Sequence, residues 1–207
     1  MERCKDMLHT GLNTLGLTVN GQQTGQLLAF IQLLSKWNKT YNLTAIRRQE
    51  DMVALHLLDS LAILPYIQGQ RAIDIGTGAG LPGIPLAICL PNVQFTLLDS
   101  NAKKTRFVQQ AILELKLTNA RIQHSRVEDY QPEQRFDTAT TRAFASLPVV
   151  IDLTRHLLAN EGIVLAMTGQ PLIEETAQLG NNATLVPLHV PGVDAERHVV
   201  RIQPNLQ

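Results

Sequence analysis

The amino-acid sequence predicts an α/β chain whose doubly wound, mostly parallel sheet finishes in an antiparallel C-terminal strand and is preceded by a helical extension. Three observations carry this expectation. Short β-type runs alternate with amphipathic helical stretches from about residue 70 onward. A glycine-rich loop stands where the first of these strands passes into a helix. The last two strand runs are separated by little more than the turn Pro191-Gly192-Val193-Asp194, too short for a parallel crossover, so they pair as an antiparallel hairpin.

In the extension, Leu27, Phe30, Ile31, Leu34 and Trp37 recur at helical spacing and predict a helix over 20–37. Met52, Val53, Leu57, Leu58, Leu61 and Leu64 predict a second over 50–64, and the first fifteen residues are weakly helical. Residues 1–65 lack the apolar mass to close a core of their own, and Pro65 stops them, so they read as an extension of the unit formed by 66–207. That unit has strand runs at 72–75, 94–98, 120–123, 138–141 and 163–167, with helices expected to end near Leu90, Leu115 and Leu158. The hairpin strands are 183–190 and 197–202.

Composition narrows the function classes. The 207 residues suit one α/β domain with a modest addition, and 44% apolar content is ordinary for a globule with a sizeable core. No apolar run approaches the ~18 residues of a membrane helix. The charged start, Met1-Glu2-Arg3-Cys4-Lys5-Asp6, has no apolar stretch of a secretion signal behind it. Cys4 and Cys89 follow no metal-ligand spacing, so neither a metal nor a disulfide is expected and a reducing cytoplasm is the natural compartment. A formal net charge of zero argues against coating nucleic acid by bulk electrostatics. Locally, however, Lys36, Lys39, Arg47 and Arg48 have no acid between them and enclose Trp37 and Tyr41. That patch suits either a specific RNA contact or a packed tryptophan flanked by solvated lysines.

The strongest chemical signal is the loop after the first strand. Gly78-Ala-Gly80-Leu-Pro-Gly83 is formally G-x-G-x-x-G with Asp99 following, which suits a dinucleotide. Asp74-Ile-Gly76-Thr-Gly78-Ala-Gly80 is equally D-x-G-x-G-x-G, which suits S-adenosylmethionine. Charge favours the second: a carboxylate at Asp74 repels a pyrophosphate but welcomes the ammonium and sulfonium of a methyl donor. Asp99, at the end of the second strand, is placed to accept ribose hydroxyls or to cap the helix after it. Glu128 follows the third strand and could meet an adenine edge or stand as a plain loop acid. Arg142, at the end of the fourth strand, is the first-ranked polar residue for orienting cofactor or RNA; the alternative is an ion pair with an acid such as Asp74. Lys103, Lys104 and Arg106 open a helix near Asp99 as RNA-phosphate contacts or a solvated face. His56 and Asp59, three apart on one helix face, could brace the extension against the site.

Together these segments resemble a family. Trp37-Asn-Lys-x-Tyr-Asn-Leu-Thr44, His56-x-x-Asp-Ser60, Asp74-x-Gly-Thr-Gly-x-Gly-Leu-Pro-Gly83, Leu98-Asp-Ser100, Lys103-Lys-x-Arg-Phe107, Arg126-Val-Glu128 and Arg142-Ala-Phe-Ala145 are similar to motifs of the ribosomal RNA small subunit methyltransferase G family, in order, over about residues 20–202. The resemblance implies a Rossmann-like class I methyltransferase that methylates N7 of a guanine in 16S ribosomal RNA. It implies a cytoplasmic enzyme, expected as a monomer, acting on the RNA or the 30S subunit with S-adenosylmethionine. Carried over, the cofactor contacts fall on Gly76, Leu81, Val127, Glu128 and Arg142, with Asp99 at the ribose. One departure stands out: Thr168 precedes Gly169 where the family usually has a lysine.

The chemistry read from the residues agrees. N7 of guanine has a free lone pair and no proton, so orientation can supply the catalysis without a general base. No adjacent prolines mark an amino-directed loop, and Cys89, in an apolar helix, looks like core rather than a nucleophile. The competing classes are a nicotinamide-dependent oxidoreductase, a non-catalytic RNA-binding module and a small-molecule methyltransferase.

Overall fold

A computed structural model describes residues 1–142 and 146–204. Helix α1 (Glu2–Thr14) lies against a broken helix made of α3 (Gln49–Met52), a π-helical stretch (Val53–Leu58) and α4 (Asp59–Leu61). A side chain at Gly11 would collide with Leu58, so glycine sets how closely α1 approaches the π turn. Between them runs α2 (Gly21–Tyr41), opened by a reciprocal capping box of Asn20 and Gln23 and closed by left-handed Asn42. The sequence predicted α2 and the later helix but not its π register, which inserts one extra residue per turn.

The sheet contains β1 (Arg71–Ile75), β2 (Gln94–Asp99), β3 (Ala120–His124), β4 (Phe136–Arg142), β5 (Leu158–Thr168), β6 (Ala183–Leu188) and β7 (Arg197–Ile202). Their order is β3-β2-β1-β4-β5-β7-β6. The first five are parallel, while β7 is antiparallel to both β5 and β6. The hairpin forms as expected, and its second strand is the one inserted beside β5. The residues explain this: β7 buries Val199, Val200 and Ile202, whereas β6 carries Pro187, which a sheet tolerates at an edge.

Crossover helices α5 (Gly83–Cys89) and α6 (Ala102–Glu114) cover one face, and α7 (Leu147–Thr154) and the short α8 (Ile173–Gln178) lie with the other. Helix α8 is too short to show a period in the sequence; its Glu175 accepts the Leu147 N–H at the start of α7 at 2.9 Å. Leu8, Phe30, Met52 and Leu57 of the extension share one buried cluster with Ile84, Leu97, Phe107 and Val108. The extension thus completes its core on the sheet, and it does so on the face where Asp74, Thr140 and Arg142 emerge.

Candidate active site

The loop after β1 is held from within. Gly76, Gly78 and Gly80 take φ of 66, 60 and 83°, a region closed to most side chains. Asp74 is 1% exposed. Its Oδ2 accepts the Thr77 hydroxyl at 2.6 Å and the Gly83 N–H at 2.9 Å, and its Oδ1 accepts the Thr140 hydroxyl at 3.0 Å. Burial pushes its carboxyl up to about 6, against the pull of these bonds and of the Arg142 charge. This corrects the expectation that Asp74 faces a ligand: the acid is turned into the loop and serves as its strut. The loop amides are similarly committed, Gly78 to Asp99, Gly80 and Leu81 to the Thr77 carbonyl, Gly83 to Asp74 and Ile84 to the Gly80 carbonyl. A pyrophosphate would find these donors already engaged, which removes the main attraction of the dinucleotide reading.

Beside the loop, at the carboxyl ends of β1, β2 and β4, lies a cleft of about 450 Å³. Of the residues expected at the cofactor, Gly76, Asp99, Val127, Glu128 and Arg142 line it. Gly78, Gly80 and buried Leu81 do not; they act through the shape of the loop, where a side chain at Gly80 would press on Ile84. Asp99 receives the Gly78 N–H on Oδ2 at 2.9 Å and the Asn101 N–H on Oδ1 at 2.8 Å. Asn101, not Asp99, caps α6, accepting from Lys103 and Lys104. Each Asp99 oxygen retains a lone pair for a hydroxyl. Lys104, assigned to RNA from the sequence, joins this cleft, as do Ser100, Ser125 and Arg126, which sequence reasoning did not single out. Arg126 opens the Arg126-Val-Glu128 motif, Ser125 precedes it and Ser100 ends Leu98-Asp-Ser100, and those motifs were the available signal.

A second cavity of about 340 Å³ lies on the extension side of Arg142, which lines both. Arg142 does form an ion pair, with Asp59 of α4 rather than with Asp74: its Nη1 stands 3.3 Å from Asp59 Oδ2. The other Asp59 oxygen accepts Arg197 Nε of β7 at 2.8 Å. Asp59 is buried, 3% exposed as a residue, so the extension clamps two strand-borne guanidiniums. His56 lies one turn before it. Its Nδ1 faces the Leu55 carbonyl and its Nε2 the Thr44 hydroxyl, both at 3.0 Å. Burial, aided by the Arg142 charge, lowers its pKa to about 4. His56 is therefore neutral, with its one lone pair taken by Thr44. Thr168 lines the same cavity and closes a local turn with Gln170.

The basic residues separate into three groups. Arg47 donates to the Asn38 carbonyl and to Asn42 Oδ1, closing the end of α2. Lys36, Lys39, Arg48, Lys103 and Arg106 are exposed and carry no ion pair among the described residues. Lys104 belongs to the cleft. Trp37 packs edge-on against Phe107 and beside Tyr41, so the packing alternative holds for that ring while the lysines beside it are free. Of the Arg142–Ala145 motif, Ala143, Phe144 and Ala145 lie outside the described residues. Among the described residues no cluster suits a metal, and no helix is long and apolar enough to cross a membrane.

Known proteins share this fold. The seven-stranded sheet is similar to the tRNA (m1A58) methyltransferase of Aquifex aeolicus (TM-score 0.52, 15% identity, 70% of this chain and 68% of that one). It is also similar to a SAM-dependent O-methyltransferase of Thermotoga maritima (0.52, 14%, 70% and 64%). These likenesses give the fold, that of class I methyltransferases. Relatives named ribosomal RNA small subunit methyltransferase G are nearer in sequence. That of Methylobacillus flagellatus is 48% identical over 93% of this chain and 95% of its own, and that of Hydrogenovibrio crunogenus 52% over 91% and 88%. The family description "rRNA small subunit methyltransferase G" matches residues 23–200, and the chain belongs to that family.

Proposed function

We propose that this protein transfers a methyl group from S-adenosylmethionine to N7 of a guanine in 16S ribosomal RNA. The observation that carries the reading is the meeting of two cavities at Arg142, one a polar cleft that presents Asp99 and Glu128 beside Leu98 and Val127, the other a more apolar cavity on the extension side. In the cleft, Asp99 would hold the ribose hydroxyls, Leu98 and Val127 the flat face of adenine, and Glu128 its edge. S-adenosylmethionine bound there supplies a methyl group whose carbon–sulfur bond breaks with its electron pair left on sulfur as the acceptor lone pair takes the carbon. The acceptor loses no proton, so the reaction needs no base; His56 is neutral with its lone pair on Thr44, and burial drives the Cys89 thiol up to about 12. What the residues do is orient, and that can supply several kcal/mol.

Lys36, Lys39, Arg48, Lys103 and Arg106 form the surface that would meet RNA phosphate, which answers the missing lysine at Thr168 with charge placed elsewhere. Residues 1–65 serve as an accessory extension of the methyltransferase unit 66–207. The protein would act as a monomer in the cytoplasm, on the assembled subunit or the free RNA.

The test is transfer of labelled methyl to 30S subunits and to naked 16S RNA, followed by nucleoside analysis. Label in 7-methylguanosine is expected. Label in another nucleoside would move the acceptor atom, and label in neither RNA would overturn the reading.

A further inference from the structure

From the second cavity, and resting on the function proposed above, we infer that it is the acceptor pocket for a guanine base turned out of the RNA, and that Asp59 is the positioning residue that sets its preference for guanine. The cavity has the anatomy of a base site. Ile46, Leu55, Met167 and Leu188 give it apolar walls, and its polar groups converge from three directions. The extension brings His56 and Asp59, β4 brings Arg142, and β7 brings Arg197 and His198. It shares Arg142 with the cofactor cleft, from which a methyl group must arrive.

The guanidinium donors left over specify the base. Arg142 uses Nη1 on Asp59, and Arg197 uses Nε on Asp59 and Nη1 on the Glu196 carbonyl. Among the described residues, Nε and Nη2 of Arg142 and Nη2 of Arg197 have no partner, and Nδ1 of His198 is buried without one. A base presenting N7 to a methyl donor must leave that nitrogen bare, so it is held through the neighbouring position six. Guanine has an acceptor oxygen there and adenine an amino donor. Two guanidiniums with spare N–H groups bind the first and repel the second. Asp59 spends one lone pair of each oxygen on a guanidinium, and so fixes the two sets of N–H donors that read position six. The extension and β7 thus bring His56, Asp59, Arg197 and His198 to the acceptor site, which Arg142 of β4 and the end of β5 complete.

Two variants fill the cavity from opposite walls. Leu55→Trp works from the extension. Gly169→Leu works from the end of β5, where a Cβ meets nothing nearer than 3.7 Å. Both should bind S-adenosylmethionine within about twofold of wild type by calorimetry and lose about 100-fold or more of methyl transfer to unmethylated 30S subunits. On the unmodified protein, guanosine monophosphate should compete with 30S subunits and not with S-adenosylmethionine, and should do so about tenfold better than adenosine monophosphate. Asp59→Asn should keep cofactor affinity, lower kcat and erase that tenfold preference; a role confined to stability would leave the preference intact. Full transfer by a filled variant overturns the assignment, and so do equal competition by the two nucleotides and competition against the cofactor. If wild-type protein itself makes no 7-methylguanosine, the proposed function fails instead.

Discussion

Asp74 and Gly83 meet at 2.9 Å, carboxylate to backbone N–H, across the loop that separates β1 from α5. The acid thereby occupies the place an incoming anion would want and welds the two ends of the glycine loop together. An Asp74→Ala substitution leaves the Gly83 amide and the Thr77 and Thr140 hydroxyls without their acceptor. It should lower unfolding free energy by about 2–4 kcal/mol in urea titration and weaken the cofactor only through the loosened loop.

Asp99 has a double task, since it holds the Gly78 and Asn101 amides and faces the cleft. Asp99→Asn keeps an acceptor but gives up the charge. Binding of S-adenosylmethionine, followed by calorimetry, should weaken by about 10- to 100-fold, the worth of charge-assisted bonds to a ribose.

Acid titration should separate two buried groups with opposite signs. His56 falls to about 4 in the folded chain from 6.5, so the native state holds fewer protons between those values and stability is lost as pH falls through them. Asp74 rises to about 6 from 3.8, so its contribution runs the other way, improving as pH falls through that window. His56→Gln should therefore shrink the stability difference between pH 7 and pH 4 by up to about 3 kcal/mol, and Asp74→Asn should enlarge it. With no proton to remove from N7, His56 titrating near 4 and Asp74 near 6, kcat/KM should be flat from pH 7 to 8.

The basic patch should split by salt dependence. Lys36→Gln and Lys39→Gln leave folding unchanged and weaken RNA binding, lowering the slope of log K against log salt by about 0.7–0.9 for each phosphate no longer neutralised. Arg47→Ala should do the reverse, removing about 1–2 kcal/mol of stability as the clasp on Asn38 and Asn42 opens, with little change in slope.

Much of this architecture was legible because it follows local periods. The spacing of Leu27, Phe30, Ile31 and Leu34 gave α2, the alternating runs gave the sheet, and the glycine loop marked its ligand edge. Asp59 illustrates what was not. Its partners Arg142 and Arg197 lie 83 and 138 residues away, and only packing brings them together. The His56-x-x-Asp-Ser60 segment hinted that the pair mattered without saying to what. The direction of Asp74 was also hidden, because an acid before a glycine loop looks the same from the sequence whether it meets a ligand or the loop's own amides. The π turn, a single extra residue per turn, leaves no mark in the spacing of apolar residues.

The placement of β7 between β5 and β6 has a consequence for the order in which the molecule is made. As the ribosome extrudes the chain, β6 emerges with its neighbour in the sheet not yet synthesised, and it must wait, unpaired, for β7. Arg197 arrives on that same strand. The residues that line the cleft, between 75 and 142, are all made before β7, whereas the Asp59 clamp stays half-made until β7 slots in. A nascent chain without β7 therefore lacks one of the two guanidiniums that Asp59 holds, and the last strand to be made is the one that completes the clamp.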